Sequence, residues 1–585
     1  MAMSENQEQI QQTQHAFLVA WGQFAQEKGL IKRIEAVKLR QKTYYHTPQT
    51  KVLEFLVAIL SGLKQLQEIS LAAHPLDKDP VVAEAWGQPG WADYSGVSRT
   101  LSSLSWEEAH AIVDALEAFS QPFLEAEVEL LRTQKRRLTM DGDLTGIPVS
   151  NTSTTYPNAA FGHMDDDIQL GYQAGVVSLL TPTYGRLWLS GTHHPGDTVS
   201  STQAESLVLA AEARIGLRPL RRIDLLEKRI ADYAQSLEPV QERLETQRRS
   251  IETARERLEQ AHAQAAERLK ELESVEQDYQ ARKRQERPTS QLALRRKRSQ
   301  AAQRRCENRK KAYDTSQRKL DKTQARLHLL LNELMALRQR LERFRQENLT
   351  NKQPIEAEFR LDAGFGAYHN IALLVEMGYE VYTKPHSHKV TQALRSKTTE
   401  TAAWAQVGAN AEMIAWADLK LKSCPYPLDV ALERFYTGKT LKHSALCHFG
   451  SDPVIQDLPA WFNHYNGRQI IEAGIKESKQ VFYLHRIKVR SEPAIFLQER
   501  IALFAANFIR WAALWLAEQA QPQENALDIR KLGVKRQVQV GAHVSAQVIR
   551  NSEGMLLMFS EHSAFAGKVL KLQGGSHSPH SKQKF

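Results

Sequence analysis

Apolar residues recur at helical spacing through the first 130 residues, in LVAWGQFAQ, VLEFLVAILSGL and WEEAHAIVDALEAF. Breakers at Thr47-Pro48, His74-Pro75 and Gln88-Pro89-Gly90 separate these stretches. The pattern predicts a helical region over 1–130. Ser105 followed three residues later by Glu108 reads as a capping box opening the last helix. Just before it, YSGVSRTLSSL is a short helix carrying Ser98, Arg99 and Thr100. Small polar residues beside an arginine suit phosphate and base-edge contact in a helix-turn-helix, and suit an ordinary helical bundle equally.

Near residue 136 the period changes from 3.6 to 2. RRLTMDGDLTGIPV, GYQAGVVSLLT and YGRLWLSGTHH read as strands, with acidic residues placed at the end of the first, and STQAESLVLAAEARIG as a helix closing the segment 131–218. After residue 350 the strand pattern returns. AEFRLDAGFG, AYHNIALLVEMG and YEVYTKP form a β-α-β unit over 351–388 with Asp362 at a strand's carboxyl end, where open α/β sheets build their sites. Residues 389–458 read as an irregular β-rich insertion, 459–520 as helices returning to the core, and 521–585 as short strands (VKRQVQVGAHV, AQVIR, MLLMFS) with a basic disordered tail. The predicted class is α/β, a mixed sheet with flanking helices, preceded by a helical domain.

Between those two sheet portions, over 219–350, positions of a largely apolar stripe recur in steps of three and four: Ile223, Leu226, Ile230, Tyr233, Leu237, Val240, Leu244, then Ile251, Ala254, Leu258 and Ala261 on one arm, and Ala302, Cys306, Arg309, Tyr313, Ser316, Leu320, Thr323, Leu327, Leu330, Leu334, Leu337, Leu341 and Phe344 on the other. That is a coiled-coil seam. A single turn at Arg287-Pro288-Thr289-Ser290 makes it an antiparallel hairpin, each arm roughly 90 Å long at about 1.5 Å per residue. Pro239 is expected to kink the first arm.

Charge sharpens this picture. The chain carries a net +10, and the hairpin holds 32 Lys+Arg against 21 Asp+Glu, so the excess resides there. It concentrates at the tip, in Arg295, Arg296, Lys297 and Arg298 and in the neighbouring Arg304, Arg305 and Arg309, with Glu286 and Glu307 as the nearby acids in sequence. Such a cluster points to a polyanionic partner. Cys306, Cys424 and Cys447 are scattered and form no CxxC pair, which argues against a disulfide framework or a cysteine zinc site and fits a reducing cytoplasm. The opening MAMSENQEQIQQTQ lacks the apolar core of a secretory signal. The apolar run from Ile501 to Ala517 is interrupted by Asn507 and Arg510, as in a buried helix, so no membrane association is expected.

The most chemically loaded stretch is YNGRQIIEAGIKESK. Tyr465, Arg468, Glu472 and Lys479 stand at offsets 0, 3, 7 and 14, which on one helix fall within about 60° of each other. Asp143 (or Asp141) and Asp362 supply carboxylates from two strands. With Glu472 they could hold two Mg²⁺ ions that activate a water or a 3′-hydroxyl on a phosphodiester. His163-Met164-Asp165-Asp166-Asp167 reads as an exposed acidic loop, and His193-His194 as a strand-end turn.

The spacing Tyr465-x2-Arg468-x3-Glu472-x6-Lys479 resembles the Y-R-E-K signature of bacterial insertion-sequence transposases of the DDE class, RLDAGFG resembles the strand bearing their second Asp, and DGDLTG the one bearing their first. The resemblance implies an RNase H-like catalytic core, dependence on Mg²⁺ or Mn²⁺, cut-and-paste movement of double-stranded DNA, and a homodimer that brings two element ends together. It implies Glu472 as third metal ligand, Asp362 as second, and Asp143 as first, with Asp141 retained as the alternative. It further implies that Tyr465, Arg468 and Lys479 grip phosphates near the cleaved end. Trp416 and Trp404 lie in the interval where some relatives stack a flipped base, and each also reads as a core residue. The hairpin departs from that pattern. A nuclease that cuts without joining, and a non-catalytic DNA-binding organiser on the same scaffold, are the rival readings.

Overall fold

The computed structural model describes residues 9–41, 45–151, 156–164, 167–399, 402–551 and 554–573. Asp165 and Asp166 of the acidic loop and the basic tail from 574 lie outside the described residues. The chain forms two compact units, Met1–Leu220 with Asn351–Phe585, and Arg221–Thr350.

The strands, in chain order, are β1 (Gln9–Thr13), β2 (Leu138–Pro148), β3 (Ala160–Met164), β4 (Asp167–Thr181), β5 (Gly185–Pro195), β6 (Ala357–Leu361), β7 (Glu380–Thr383), β8 (Ala405–Gly408), β9 (Ala411–Leu419), β10 (Leu428–Thr437), β11 (Thr440–Phe449), β12 (Ala546–Asn551), β13 (Gly554–Phe559) and β14 (Val569–Gln573). Ten of them make one mixed sheet in the order β3-β4-β2-β6-β7-β11-β10-β9-β8, with β5 also paired to β4. β2 runs antiparallel to β4 and parallel to β6, and β6 runs parallel to β7. The α/β class expected from the alternation is present as this mixed sheet with its flanking helices.

Glycines show which helices cover which face. A Cβ on Gly175 of β4 would meet Leu207 of the Ala204–Ile215 helix, and one on Gly191 of β5 would meet Leu503 of the Glu492–Gln519 helix. Gly175 is paired with Thr192 and Val176 with Gly191, so the two helices lie on opposite faces. Asp143 is registered with Val176 and therefore stands on the face of the Glu492–Gln519 helix.

Three expectations for the sheet unit need correction. Residues 389–458 are β-rich as read but are no separate irregular insertion: β8 to β11 pair antiparallel, with register shifts at Leu428/Val430 and Gln406/Gly408, and extend the main sheet beyond β7. VKRQVQVGAHV is a short helix, Val534–Gln539, and a turn, because its Val534, Val538 and Val540 serve a helical face although they alternate locally. Gln9–Thr13 is a strand rather than helix: β1 pairs with β12 in a four-stranded sheet ordered β1-β12-β13-β14. The helix Glu492–Gln519, the one among the described residues long and apolar enough to cross a membrane, has 72% of its most apolar window buried. Its Phe508 packs on Phe24 at 5.2 Å and its Trp511 stacks on Phe123 at 4.7 Å.

The Arg221–Thr350 unit consists of the helices Ile223–Gln235, Glu238–Ala281 and Thr289–Thr350. The first two run antiparallel to the third, as the cross-arm pairs Tyr233 with Glu333 and Arg296 with Glu276 require. Leu226, Leu237, Leu244 and Ala261 on one side and Cys306, Leu334, Leu337 and Phe344 on the other are buried, all at the three-four positions of the predicted seam. Arg309, assigned to the same seam, is exposed. Pro239 does not kink a continuous arm. It sits in the first turn of a new helix after a break at Ser236 and Leu237, where a residue without an N–H costs no helical bond.

Candidate functional site

The site is built on the polar stripe of three neighbouring strands. β2 and β6 are in parallel register, with Thr139 opposite Glu358 and Asp141 opposite Arg360. β6 and β7 place Glu358 opposite Glu380 and Arg360 opposite Tyr382. The period of two therefore stacks three polar layers along one face: Thr139–Glu358–Glu380, then Asp141–Arg360–Tyr382, then Asp143 with Asp362 where the parallel pairing ends. β2 itself continues to Pro148, so its acidic residues sit mid-strand rather than at the strand end expected from sequence.

In the middle layer Arg360 donates from Nε and Nη2 to the two carboxylate oxygens of Asp141, at 2.7 and 2.8 Å. Both side chains are almost wholly buried. Arg360 also donates to the His464 carbonyl at 2.8 Å, and its guanidinium fills the space a Cβ on Gly467 would need. Each oxygen of Asp141 thus accepts one arm of a bidentate fork within a buried layer. Of the two alternatives for a first ligand, Asp143 is the accessible one.

The surface layer gathers the three carboxylates. Arg468 donates from Nη2 to Asp143 Oδ2 at 2.8 Å and from Nη1 to Glu472 Oε1 at 2.7 Å. Asp362 follows β6, its Oδ1 accepting the Phe365 N–H at 3.3 Å, and its charge and that of Glu472 both act on Asp143. Burial first, and then these two neighbours, push the Asp143 carboxyl up to about 6 against the pull of Arg468. Gly366 allows this turn to close on β7, since a Cβ there would overlap the Lys384 carbonyl. Arg468 thus ties Asp143 to Glu472, and the charge of Asp362 acts on Asp143 from the end of β6.

The Tyr465-to-Lys479 stripe is not one helix. It comprises the helices Leu458–Asn466 and Gln469–Gln480, joined by a tight turn in which the Arg468 N–H bonds to the Tyr465 carbonyl and the Ile471 N–H to the Arg468 carbonyl. Gly467, held against Arg360, marks the break. One consequence is that Tyr465 turns inward. It is buried, donates to the Leu361 carbonyl at 3.1 Å, and carries Lys384 over its ring at 5.5 Å. This placement braces the end of β6 rather than presenting a phenol to a phosphate. Lys479 lies in the last turn of the second helix, half-buried, two turns beyond Glu472.

The remaining candidates are dispersed. Arg99 is exposed on the Tyr94–Ser102 helix, while Thr100 beside it is buried. Trp416 is half-buried on β9 opposite Val430, and β11 and β10 separate its strand from β7. Trp404 stacks on Arg434 at 4.2 Å. At the hairpin tip, Arg295 pairs with Glu271 and Arg296 with Glu276 at 3.0 Å, so these two cations face acids of the opposite arm and not only Glu286 and Glu307. Lys297, Arg304, Arg305 and Arg309 instead line a groove of about 530 Å³ on the outer side of their helix.

Sequence reasoning passed over Arg360, Glu358 and Glu380. The signal was present: Glu358-x-Arg360-x-Asp362 alternates with apolar residues on a strand buried along both faces.

No family model and no curated protein matches the chain.

Proposed function

We propose that this protein is a DDE-class transposase that cuts DNA at the ends of a mobile element and joins the freed 3′-hydroxyls to a target. The observation that carries the reading is that Arg468 bonds to both Asp143 and Glu472 while the charge of Asp362 acts on Asp143 and on Arg468. The strand order β5-β4-β2-β6-β7, with β2, β6 and β7 parallel and β4 and β5 antiparallel to their neighbours, supports the RNase H-like core that the Y-R-E-K resemblance implies. The coiled-coil reading of the hairpin rests on the three-four seam.

The donor set is all oxygen, which suits Mg²⁺ or Mn²⁺. The Arg468 guanidinium, lying between two of the carboxylates, supports a site whose charge suits a cation. Asp143, Asp362 and Glu472 would hold the two ions, which when bound polarise the phosphate and lower the pKa of an attacking hydroxyl. In the cleavage step a water oxygen bonds to phosphorus as the P–O3′ bond breaks, and the departing 3′-oxygen takes up a proton. In the joining step that 3′-hydroxyl bonds to a target phosphorus, loses its proton, and displaces the target's 3′-oxygen. Arg468 is placed to move from the carboxylates to a phosphate oxygen, and Lys479 to hold the backbone two helical turns away. The cationic groove of the hairpin would contact double-stranded DNA further along, and two copies would pair the ends.

The test is strand cleavage and strand transfer on DNA flanking the reading frame, with Mg²⁺ present. Loss of both in Asp362→Asn and Glu472→Gln chains that still fold is expected, and full cleavage by either would overturn the assignment.

A further inference from the structure

At the opposite end of the polar stripe from Asp362, four residues back along β6 and so about 13 Å away, lies a second group of ligating side chains. Glu380, His448 and Asp452 bring one donor atom each within 4.8 Å of one another. They come from β7, from the end of β11 and from the loop that follows it.

Each donor is prepared by its neighbours. His448 is 1% exposed, and its Nδ1 lies 3.2 Å from Asp429 Oδ2. A carboxylate only accepts, so Nδ1 carries the proton and Nε2 offers its lone pair. That is the carboxylate–histidine arrangement that orients imidazole ligands toward metals. Glu380 is 6% exposed. Its Oε1 receives Arg137 and both the N–H and hydroxyl of Ser451, while its Oε2 has no partner. Gly450 leaves room for that oxygen, since a Cβ there would come within 2.3 Å of it. Asp452 gives one oxygen to Arg137 and Tyr382, at 2.8 and 2.7 Å.

Two buried acceptors consequently face each other: His448 Nε2 and Glu380 Oε2, 3.8 Å apart and both unsatisfied. The gap is too long for a hydrogen bond. Two metal–ligand bonds of about 2.1 Å span it at an open angle. The charges lead the same way. Glu358, Glu380, Asp429 and Asp452 confront the guanidinium of Arg137 and the His464 ring, which lies 2.7 Å from Glu358. Even with His464 counted as charged, two negative charges are left over, the number a divalent ion balances.

We propose that Glu380, His448 and Asp452 bind one Zn²⁺ ion. Imidazole with two carboxylates suits zinc better than Mg²⁺. Asp452, the most exposed of the three, faces the route from solvent. The ion ties β7 and β11 to the loop after β11, at the junction where the sheet extends from β7 into β8–β11. This proposal does not depend on the transposase reading.

The test measures zinc content and cobalt uptake of the full chain. Purified without chelator and dialysed against metal-free buffer, it is expected to retain one equivalent of zinc, as is an Asp143→Asn/Asp362→Asn/Glu472→Gln chain. After chelation, added Co²⁺ should give the visible absorption of a nitrogen-ligated low-symmetry site. Asp452→Asn should weaken zinc binding at least tenfold, His448→Gln should abolish the absorption, and Asp429→Asn should weaken binding by about 10- to 100-fold. Asp452→Asn, at the most exposed ligand, keeps the test open should the His448 variant fail to fold. Retention of less than a tenth of an equivalent with no Co²⁺ spectrum in the unmodified chain, or unchanged zinc affinity in Asp452→Asn, would overturn the proposal.

Discussion

Arg468 Nη2 donates to Asp143 Oδ2 at 2.8 Å, joining the turn after Asn466 to the middle of β2. Both side chains are largely buried, and the same guanidinium also holds Glu472. Without divalent ions, Arg468 is therefore the counter-charge of the carboxylate cluster. Arg468→Gln should lower the stability of the metal-free chain by about 3 kcal/mol, the cost of leaving buried carboxylates uncompensated. Added Mg²⁺ should raise the melting temperature of the variant more than that of the wild type. Thermal unfolding with and without Mg²⁺ checks this, and equal shifts would contradict it.

Asp141 and Asp143 stand two residues apart on one face yet should behave differently. Arg360→Met strands the Asp141 carboxylate and is expected to cost roughly 3–5 kcal/mol, whereas an Asp141→Leu/Arg360→Met chain should recover most of that loss. In cleavage assays on folded protein, Asp141→Asn should stay within about tenfold of wild type while Asp143→Asn falls by at least about 100-fold. Comparable losses in both would return Asp141 to the list of metal ligands.

A pH dependence arises far from the site. Glu54 is fully buried in the Pro48–Leu60 helix, its Oε2 accepting the Ala92 N–H at 2.9 Å and its Oε1 unpartnered. Burial, helped by Asp77 and Asp93, pushes its carboxyl up to about 9. The folded state holds this proton to higher pH than the unfolded chain does. Its stability is therefore undiminished below the ordinary carboxyl range and declines as pH rises from there toward 9. Glu54→Gln should stabilise the chain at pH 8 by roughly 2–4 kcal/mol and give no gain at pH 4.5. Chemical denaturation at the two pH values measures the difference.

The two groups of tip cations should separate in DNA binding. Replacing Lys297, Arg304, Arg305 and Arg309 by Gln should reduce the slope of log affinity against log salt by up to about 3.6, at about 0.9 per lost phosphate contact. Replacing Arg295 and Arg296, already paired with Glu271 and Glu276, should change the slope by less than one. Titrations of duplex DNA over a range of salt concentrations distinguish the two.

Legibility in the sequence followed the range of the interactions. The seam from Leu226 to Phe344 repeats locally, so most of its buried positions could be read from the spacing, whereas the buried Leu292 and Ser299 could not. The carboxylates of Asp143, Asp362 and Glu472 stand out in the sequence because each lies next to a local marker: a strand, a Gly-rich turn, a spaced motif. What escaped depends on partners far away in the chain. Nothing near Asp141 announces Arg360, 219 residues on, and nothing in MAMSENQEQIQQT announces β12. The break at Gly467 was hidden because Tyr465 and Arg468 both keep helical neighbours. The guanidinium of Arg360, from a distant part of the chain, lies against that glycine at the junction of the two helices. Cysteine spacing was the cue examined for a structural metal, and it is silent about a group made of Glu380, His448 and Asp452.

The chain leaves the sheet unit at Arg218 and returns to the same spot. The Ile355 N–H bonds to the Arg218 carbonyl at 3.3 Å, and the Asn351 side chain bonds to that carbonyl at 2.9 Å. The 130 residues between Arg221 and Thr350 thus hang from a closed doorway rather than from a stretched linker. An insertion of this kind behaves as a cassette. A short turn between Leu220 and Asn351 would leave the strand register of β2 and β6 intact. The arms could also lengthen or shorten by whole heptads without the sheet registering the change, so the reach of the protein and its chemistry are free to evolve on separate schedules.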